Sequence, residues 1–458
     1  METEKMIVAI DLGSSSIVGV VGMREGDRIK ITAVERVPSE GAVRRGCVVN
    51  VDEAASRVRK LVTMLENKLS SKIEKTYVAI AGQSVRSIRH TASRHLPEGT
   101  VITENLLADL YNEGRNFSIA NADIVDIVPN EIVVNDFLVD NPVGMTATKI
   151  QIEMQLAVAR QSITKNLRAV FAKLNLPIAG FILGVKADAE ALLSKEDKEN
   201  GCVLVNFGGG TTTVSVYCGG FLKYFVTIPL GGKSITMDII SLGFVDVEAE
   251  RFKITLGSAL LSNAEQLKGI TLEGKGKNSI KPKDLNKATV VRIEEIVANV
   301  VNQIKESGYR TAVNGGIVIS GNASQLKDLP ELLHKESGME VRCGNVSSSV
   351  SADKDTDVNL FAYSQAVGML MLGDAVCLSR ERESVKSSSR FWLFGGDDKK
   401  QSEQKKPKPQ QQPKQEKVEK TKPVKKKQEK EKQSGGIFDK IRNQIVDIIG
   451  EDDNETMK

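Results

Sequence analysis

Two glycine-rich turns, each set between short apolar β-branched runs, constrain this chain more than any other feature. The first is IVAIDLGSSSIVGVVG at residues 7–22 and the second VLVNFGGGTTTVSVY at residues 203–217. Each reads as a strand, a carboxylate or amide, a tight turn carrying hydroxyls, and a second strand: a hairpin with a permissive tip. Asp11 and Gly13 lie 195 residues before Asn206 and Gly208, a common offset that predicts two similar domains in succession.

Such turns point backbone N–H groups into a small concavity, which binds phosphate oxygens without side-chain charge. Two of them facing each other would grip a nucleotide's phosphates from both sides. Asp11, at the end of its strand, is placed to hold Mg²⁺ through water, because Mg²⁺ keeps most of its hydration shell. The hydroxyls of Ser14, Ser15, Thr211 and Thr212 would assist. Gly231-Gly232-Lys233-Ser234 ends like a P-loop, but that motif requires Gly where Thr227 stands, so a P-loop is rejected. A third glycine turn, Ser320-Gly321-Asn322, follows the strand in GGIVISGNASQL and opens toward a helix expected at 326–333. It suits close approach of a purine or ribose, Asn being the best non-glycine residue at positive φ.

A chain of 458 residues is too long for one core. Residues 54–69 have apolar Val58, Leu61, Val62 and Leu65 at helical spacing and are followed by a strand at 77–81. Residues 85–163 read as an inserted small subdomain with strands at 127–139 and 149–159. A second insertion, 239–314, carries helix patterns at 246–256 and 289–306. Helices alternating with strands give an α/β class with mixed sheets.

Net charge is +4, unevenly spread: +9 over residues 380–436, −3 over 437–458, and −2 over the body before them. That excludes a wholly basic nucleic-acid-binding body, and no nucleic-acid partner is expected. Five widely spaced Cys without a CxxC pair suggest neither a disulfide framework nor a zinc site, and hence a reducing compartment. His90, His95 and His334 lack metal spacing. With neither a signal-peptide pattern at its start nor an apolar run of spanning length, the chain reads as neither secreted nor membrane-spanning. Residues 380–434, rich in Gln, Lys, Glu and Pro, cannot bury enough apolar surface to fold and read as a disordered basic linker. Within it an aromatic cluster, 391–394, holds the single Trp. Beyond it Ile437, Phe438, Ile441, Ile445, Ile448 and Ile449 fall on one stripe of an amphipathic helix.

Paired phosphate hairpins with a later strand and glycine turn resemble the actin, Hsp70 and sugar-kinase ATPase superfamily. Within it, an ordered set of stretches resembles the FtsA family of bacterial cell-division proteins: RRGCVVNVDEAASRV, VPNEIVVNDFLVDNPVGMTATKIQIE, IPLGGKSITMDI, AERFK and, at the end, GGIFDKI. The likeness covers almost all of residues 5–378 and resumes at the carboxyl end.

The resemblance implies an actin-like, Hsp70-type ATPase fold of two domains and four subdomains, plus the linker and terminal helix. Residues 1–84 and 164–200 would form subdomain 1A, 85–163 the relocated subdomain 1C, 201–238 and 315–379 subdomain 2A, and 239–314 subdomain 2B; 435–450 would be the membrane-targeting helix. It implies ATP with Mg²⁺ in the cleft, and attachment to the cytoplasmic side of the membrane at the division site. It also implies binding of the tail peptide of FtsZ through 239–314, self-assembly into filaments and recruitment of later division proteins. By motif match Asp11, Gly13, Ser14 and Ser15 would be first-loop phosphate ligands, and Gly208, Gly209, Gly210, Thr211 and Thr212 second-loop ligands. Glu250 and Lys253 of AERFK would contact ribose or adenine, with Gly321 and Asn322 under the base.

Departures from the family pattern bear on hydrolysis. The second loop usually begins with Asp and has Asp after its two Thr, whereas Asn206 and Thr213 stand here; the first loop often carries Lys where Ser16 stands. An amide at 206 keeps the shape but removes a negative charge from the Mg²⁺ shell and from the orientation of attacking water. An acidic residue common in the connecting helix is Gly184 here, leaving Glu190 as the candidate to position water. Binding is therefore better supported than hydrolysis. A small-molecule kinase of the same fold would need a carboxylate base, against which Asn206 and the tethered helix argue. An actin-like pilus-assembly scaffold shares the loops but not the long linker ending in GGIFDKI.

Overall fold

The computed structural model describes residues 3–261, 272–273, 279–352 and 359–381. The expected linker, the aromatic cluster at 391–394 and the amphipathic helix with Ile437, Phe438, Ile441, Ile445, Ile448 and Ile449 lie outside these residues.

The first hairpin forms as the sequence predicts, Thr3–Leu12 pairing antiparallel with Ser16–Glu25 and bringing Asp11 opposite Val18. Around it grows a seven-stranded mixed sheet in the order Ile178–Leu183, Thr76–Ile80, Thr3–Leu12, Ser16–Glu25, Arg28–Pro38, Val350–Ala352, with Leu378–Glu381 also paired to Thr3–Leu12. The helix Val51–Leu69 covers this sheet. Asn50 caps it by accepting the N–H of Glu53 at 3.0 Å, Asp52 and Glu53 sit favourably in its first turn, and Ser70 ends it in the left-handed region. Its stripe of Val58, Leu61 and Leu65 is fully buried. Gly19 lets the helix approach the strand beneath, since a Cβ there would lie 2.7 Å from Leu65 Cδ1.

The second hairpin, Cys202–Phe207 with Thr212–Cys218, sets Asn206 opposite Thr213. It lies in a nine-stranded sheet ordered Val341–Cys343, Ile317–Ser320, Cys202–Phe207, Thr212–Cys218, Phe221–Ile228, Arg86–His95, Lys149–Ala159, Asp123–Val134, Phe137–Leu138. Side chains alternate across it. Val203, Val205 and Phe207 face one core with the helix Pro282–Glu306, while Cys202 and Leu204 join the core of the first sheet. Helices Gly184–Leu192 and Ser364–Leu372 pack in that shared core. They touch backbone to backbone, because a Cβ on Gly368 would overlap Ala187 O.

The inserted segment has its own small core around Ile150, Ile152 and Met154. Its outer strand is not one continuous run over 127–139. It breaks at Asn135 and Asp136, with φ of 49° and 68°, into a tight hairpin whose turn chemistry suits Asn-Asp. Lys223, 5% exposed, ties this segment to the second sheet by donating to Asn130 Oδ1 at 2.6 Å and Glu131 Oε1 at 2.5 Å. The helix expected at 326–333 begins later, at Leu329, after the short 3₁₀ turn Asn322–Gln325.

Candidate functional site

The two hairpin tips meet. A Cβ on Gly209 would overlap Ser15 Oγ, and one on Gly210 would overlap Ser14 Oγ and lie 2.7 Å from Ser14 Cβ, so at 210 above all glycine permits this approach. The second tip is closed by the N–H of Gly208 donating to Thr211 O at 2.9 Å. The first is braced where Ser14 Oγ accepts the N–H of Gly46 at 2.8 Å and Ser39 Oγ donates to Gly13 O at 2.6 Å. Asp11, Gly13, Ser14, Ser15, the three second-loop glycines, Thr211, Asn206, Gly321 and Asn322 all line one cleft of about 130 Å³. The tips touch at Gly209 on Ser15 and Gly210 on Ser14, so phosphates could pass between them only if the tips parted.

The third turn reaches the same cleft. Gly321, at φ 81°, carries its positive φ, not Asn322, which starts the 3₁₀ turn. A side chain at 321 would strike Phe207 O at 2.5 Å and Asn206 Oδ1 at 2.6 Å.

Several expected ligands face elsewhere. Thr212 is fully buried and its Oγ1 donates to Leu230 O at 2.9 Å; the pleat turns Thr213 to the cleft instead. Glu190 does not reach the cleft, and its carboxylate accepts Lys198 Nζ at 3.1 Å on the outer side of the connecting helix. Glu250 and Lys253 are brought together, but mainly with each other: Lys253 Nζ donates to both carboxylate oxygens at 2.7 Å, to Thr236 Oγ1 at 3.0 Å and to Gly232 O at 3.2 Å. Neither lines the cleft.

The residue missed by sequence reasoning is Asp188, two positions before Glu190 and 1% exposed. Its Oδ2 accepts Asn206 Nδ2 at 2.9 Å and Ser320 Oγ at 2.7 Å, and its Oδ1 accepts Ser364 Oγ. Burial pushes its carboxyl up, against those three hydrogen bonds. Burial, with the Asp188 charge second, also raises Asp11 from 3.8 to about 6. Two carboxylates near a cleft that, among the described residues, is lined by no Lys or Arg would repel a polyphosphate, and a divalent cation removes that repulsion. The donor set fits Mg²⁺ held through water, one carboxylate and phosphate oxygens. Among the described residues no cluster of three His, Cys, Asp or Glu forms a dedicated metal cage.

Comparisons with known proteins agree with this architecture. A family model described as Cell division protein FtsA matches residues 203–368, and one described as an SHS2 domain inserted in FtsA matches residues 82–158. The chain is 27% identical to the Cell division protein FtsA of Pseudomonas aeruginosa over 417 residues, 87% of this chain and 96% of the relative. It is 29% identical to that of Bacillus subtilis over 345 residues, 72% and 77% of the two chains. The counterpart from Porphyromonas gingivalis is 29% identical over 333 residues, 71% and 70%. Among solved structures, a chain of the PilM–PilN type IV pilus biogenesis complex superposes with a TM-score of 0.56 at 15% identity, covering 80% of this chain and 98% of that one. The fold is the actin-like ATPase fold.

Proposed function

The chain belongs to the FtsA family and is an actin-like cell-division protein; we propose that it binds ATP with Mg²⁺ in the cleft and tethers the FtsZ ring to the cytoplasmic face of the membrane at the division site. The observation that carries the nucleotide reading is the meeting of the two glycine tips, Gly209 on Ser15 and Gly210 on Ser14, beside Asp11. Asp11, Gly13, Ser14, Ser15, Gly208, Gly209, Gly210 and Thr211 hold the phosphates, with Gly321 and Asn322 under the base. Mg²⁺, when bound, neutralises phosphate charge, and Asp11 orients it through water.

Turnover is slow in this reading. Asn206 brings no charge to the metal shell, and Asp188 has both oxygens occupied by Ser364, Ser320 and Asn206, so neither is free to orient a water. Membrane attachment rests on the stripe of the 437–449 segment; no described helix is long and apolar enough to cross a membrane. The FtsZ tail would dock on the insertion 239–314, where Val247, Ile254 and Val291 are exposed. Self-assembly along the membrane and recruitment of later division proteins complete the reading. A pilus-assembly scaffold has the same fold, but at 15% identity the likeness carries no function.

Vesicle flotation tests the tether. The full chain is expected to float with anionic vesicles and to carry FtsZ with it; FtsZ remaining at the bottom beside a floating chain overturns the partner assignment. Calorimetry tests the cleft: Asp11→Ala should weaken MgATP binding by about tenfold or more, about 1.4 kcal/mol. Unchanged affinity removes Asp11 from the site.

A further inference from the structure

The Gly231-Gly232-Lys233-Ser234 turn resembles a phosphate loop in sequence, yet its backbone serves another purpose. The N–H of Gly232 donates to Gly208 O at 3.0 Å and that of Lys233 to Gly209 O at 2.7 Å, so the start of the helix Gly232–Ser241 buttresses the second glycine tip. Gly231 packs closer still, for a Cβ there would lie 2.6 Å from Gly208 O.

The Lys233 side chain does something the backbone does not. Its ammonium leaves the second lobe and donates to the carbonyl of Ser14, at the tip of the first loop, at 2.7 Å. Ser14 lines the cleft, whose lining contains Asp11 but, among the described residues, no Lys or Arg. A second ammonium beside this helix, on Lys253, is enclosed by Glu250, Thr236 and Gly232 O. Lys233 is exposed and spends one of its three donors on a neutral carbonyl. An ammonium on a flexible four-carbon stem is a compact point charge suited to phosphate oxygens.

We propose that Lys233 is a nucleotide-binding residue: its ammonium bridges the two loop tips through Ser14 O and moves onto the terminal phosphate when a triphosphate parts them. This rests on the reading of the cleft as an ATP site. It supplies from the second lobe a cation that the first loop, with Ser at position 16, does not carry. The contact distinguishes nucleotides by phosphate number, because a diphosphate ends short of the oxygens the ammonium would meet.

The test is calorimetry of MgATP, MgADP and adenosine on the full chain, as wild type, Lys233→Gln and Lys233→Arg, with thermal unfolding to confirm that each folds. In Lys233→Gln, MgATP affinity should fall by about tenfold, corresponding to the loss of a charge-assisted contact. MgADP should fall much less and adenosine not at all, while Lys233→Arg should keep most of the preference for triphosphate. If Lys233→Gln leaves MgATP affinity unchanged, or lowers MgATP and MgADP equally, the ammonium has no terminal-phosphate role and the proposal fails while the site stands. If wild type binds none of the three, the cleft reading falls and the proposal with it.

Discussion

Asp188 Oδ2 accepts the side-chain N–H of Asn206 at 2.9 Å, an acid and an amide paired across the joint between the connecting helix and the second glycine hairpin. The family resemblance places the acid on the hairpin. Here the carboxylate stands one hydrogen bond away, on the helix, and the hairpin carries the neutral partner.

This pairing decides what Asn206→Asp should do. The substitution removes the donor and sets a second carboxylate against a buried one, which favours protonating one of them rather than enriching a metal shell. ATP turnover in Asn206→Asp should therefore stay low, while the exchange Asp188→Asn with Asn206→Asp should raise it several-fold or more. Phosphate release assays on the three proteins decide the matter; a brisk rate in the single variant would show that the pair does not restrain the site.

Removing the acid altogether should be costly. Asp188→Ala leaves Ser320 Oγ, Ser364 Oγ and Asn206 Nδ2 without their acceptor in a buried joint, at roughly 1–3 kcal/mol for each group that finds no substitute. We expect a loss of about 2–4 kcal/mol in urea denaturation and a smaller loss in Asp188→Asn. A loss below about 1 kcal/mol would mean that water replaces the acceptor.

The raised Asp11 carboxyl sets a pH dependence whose sign is fixed. Its value moves from 3.8 unfolded to about 6 folded, so the unfolded chain binds fewer protons between those limits. Its contribution is fully present below pH 3.8, is lost as pH rises toward about 6, and changes no further above that. The whole effect is at most on the order of 3 kcal/mol. Denaturation of the metal-free protein at pH 4 and pH 7, compared with Asp11→Asn, isolates it: the variant should gain relative to wild type as pH rises. A constant difference would place the Asp11 pKa near its ordinary value.

Ile445→Glu sets a charge in the apolar stripe of residues 437–449. A 13-residue segment is too short to be a stable helix alone in water, so it should order only on an apolar surface. The substitution should release the chain from protein-free anionic vesicles in flotation. A variant that still floats, or a wild type that never does, would assign the segment to a partner instead.

Both glycine hairpins were legible because alternating apolar runs around Gly-rich turns admit few other folds, and their common offset announced the repeat. Which hydroxyl faces the cleft was also available, though only from strand parity: Thr212 shares its face with the buried Val214 and Val216, leaving Thr213 opposite. Asp188 was harder. In GVKADAEAL the carboxylates at 188 and 190 look equivalent, and only the helix phase separates them. The small residues Ala187, Ala189 and Ala191 did hint at a helix enclosed on several sides, but its partners come from residues 206, 320 and 364, which only the tertiary fold assembles. The break at Asn135-Asp136 was missed because an apolar run flanks it on both sides.

The inserted segment leaves the first sheet after Thr76–Ile80 and returns to it through the helix Gln161–Lys173, yet its strands join the sheet of the other lobe. Its seam there combines the strand pairing of Val226 with Arg86, the two hydrogen bonds between Ser87 Oγ and the Phe225 backbone and the Lys223 contacts with a shared apolar core of Val128, Leu222 and Phe225. A module spliced into one lobe and stitched to the other works as a strap. A motion that parted the glycine tips would have to carry the strap with the second lobe or break that seam. Phe137 and Leu138, exposed at the far edge of that sheet, would travel with whichever lobe the strap follows.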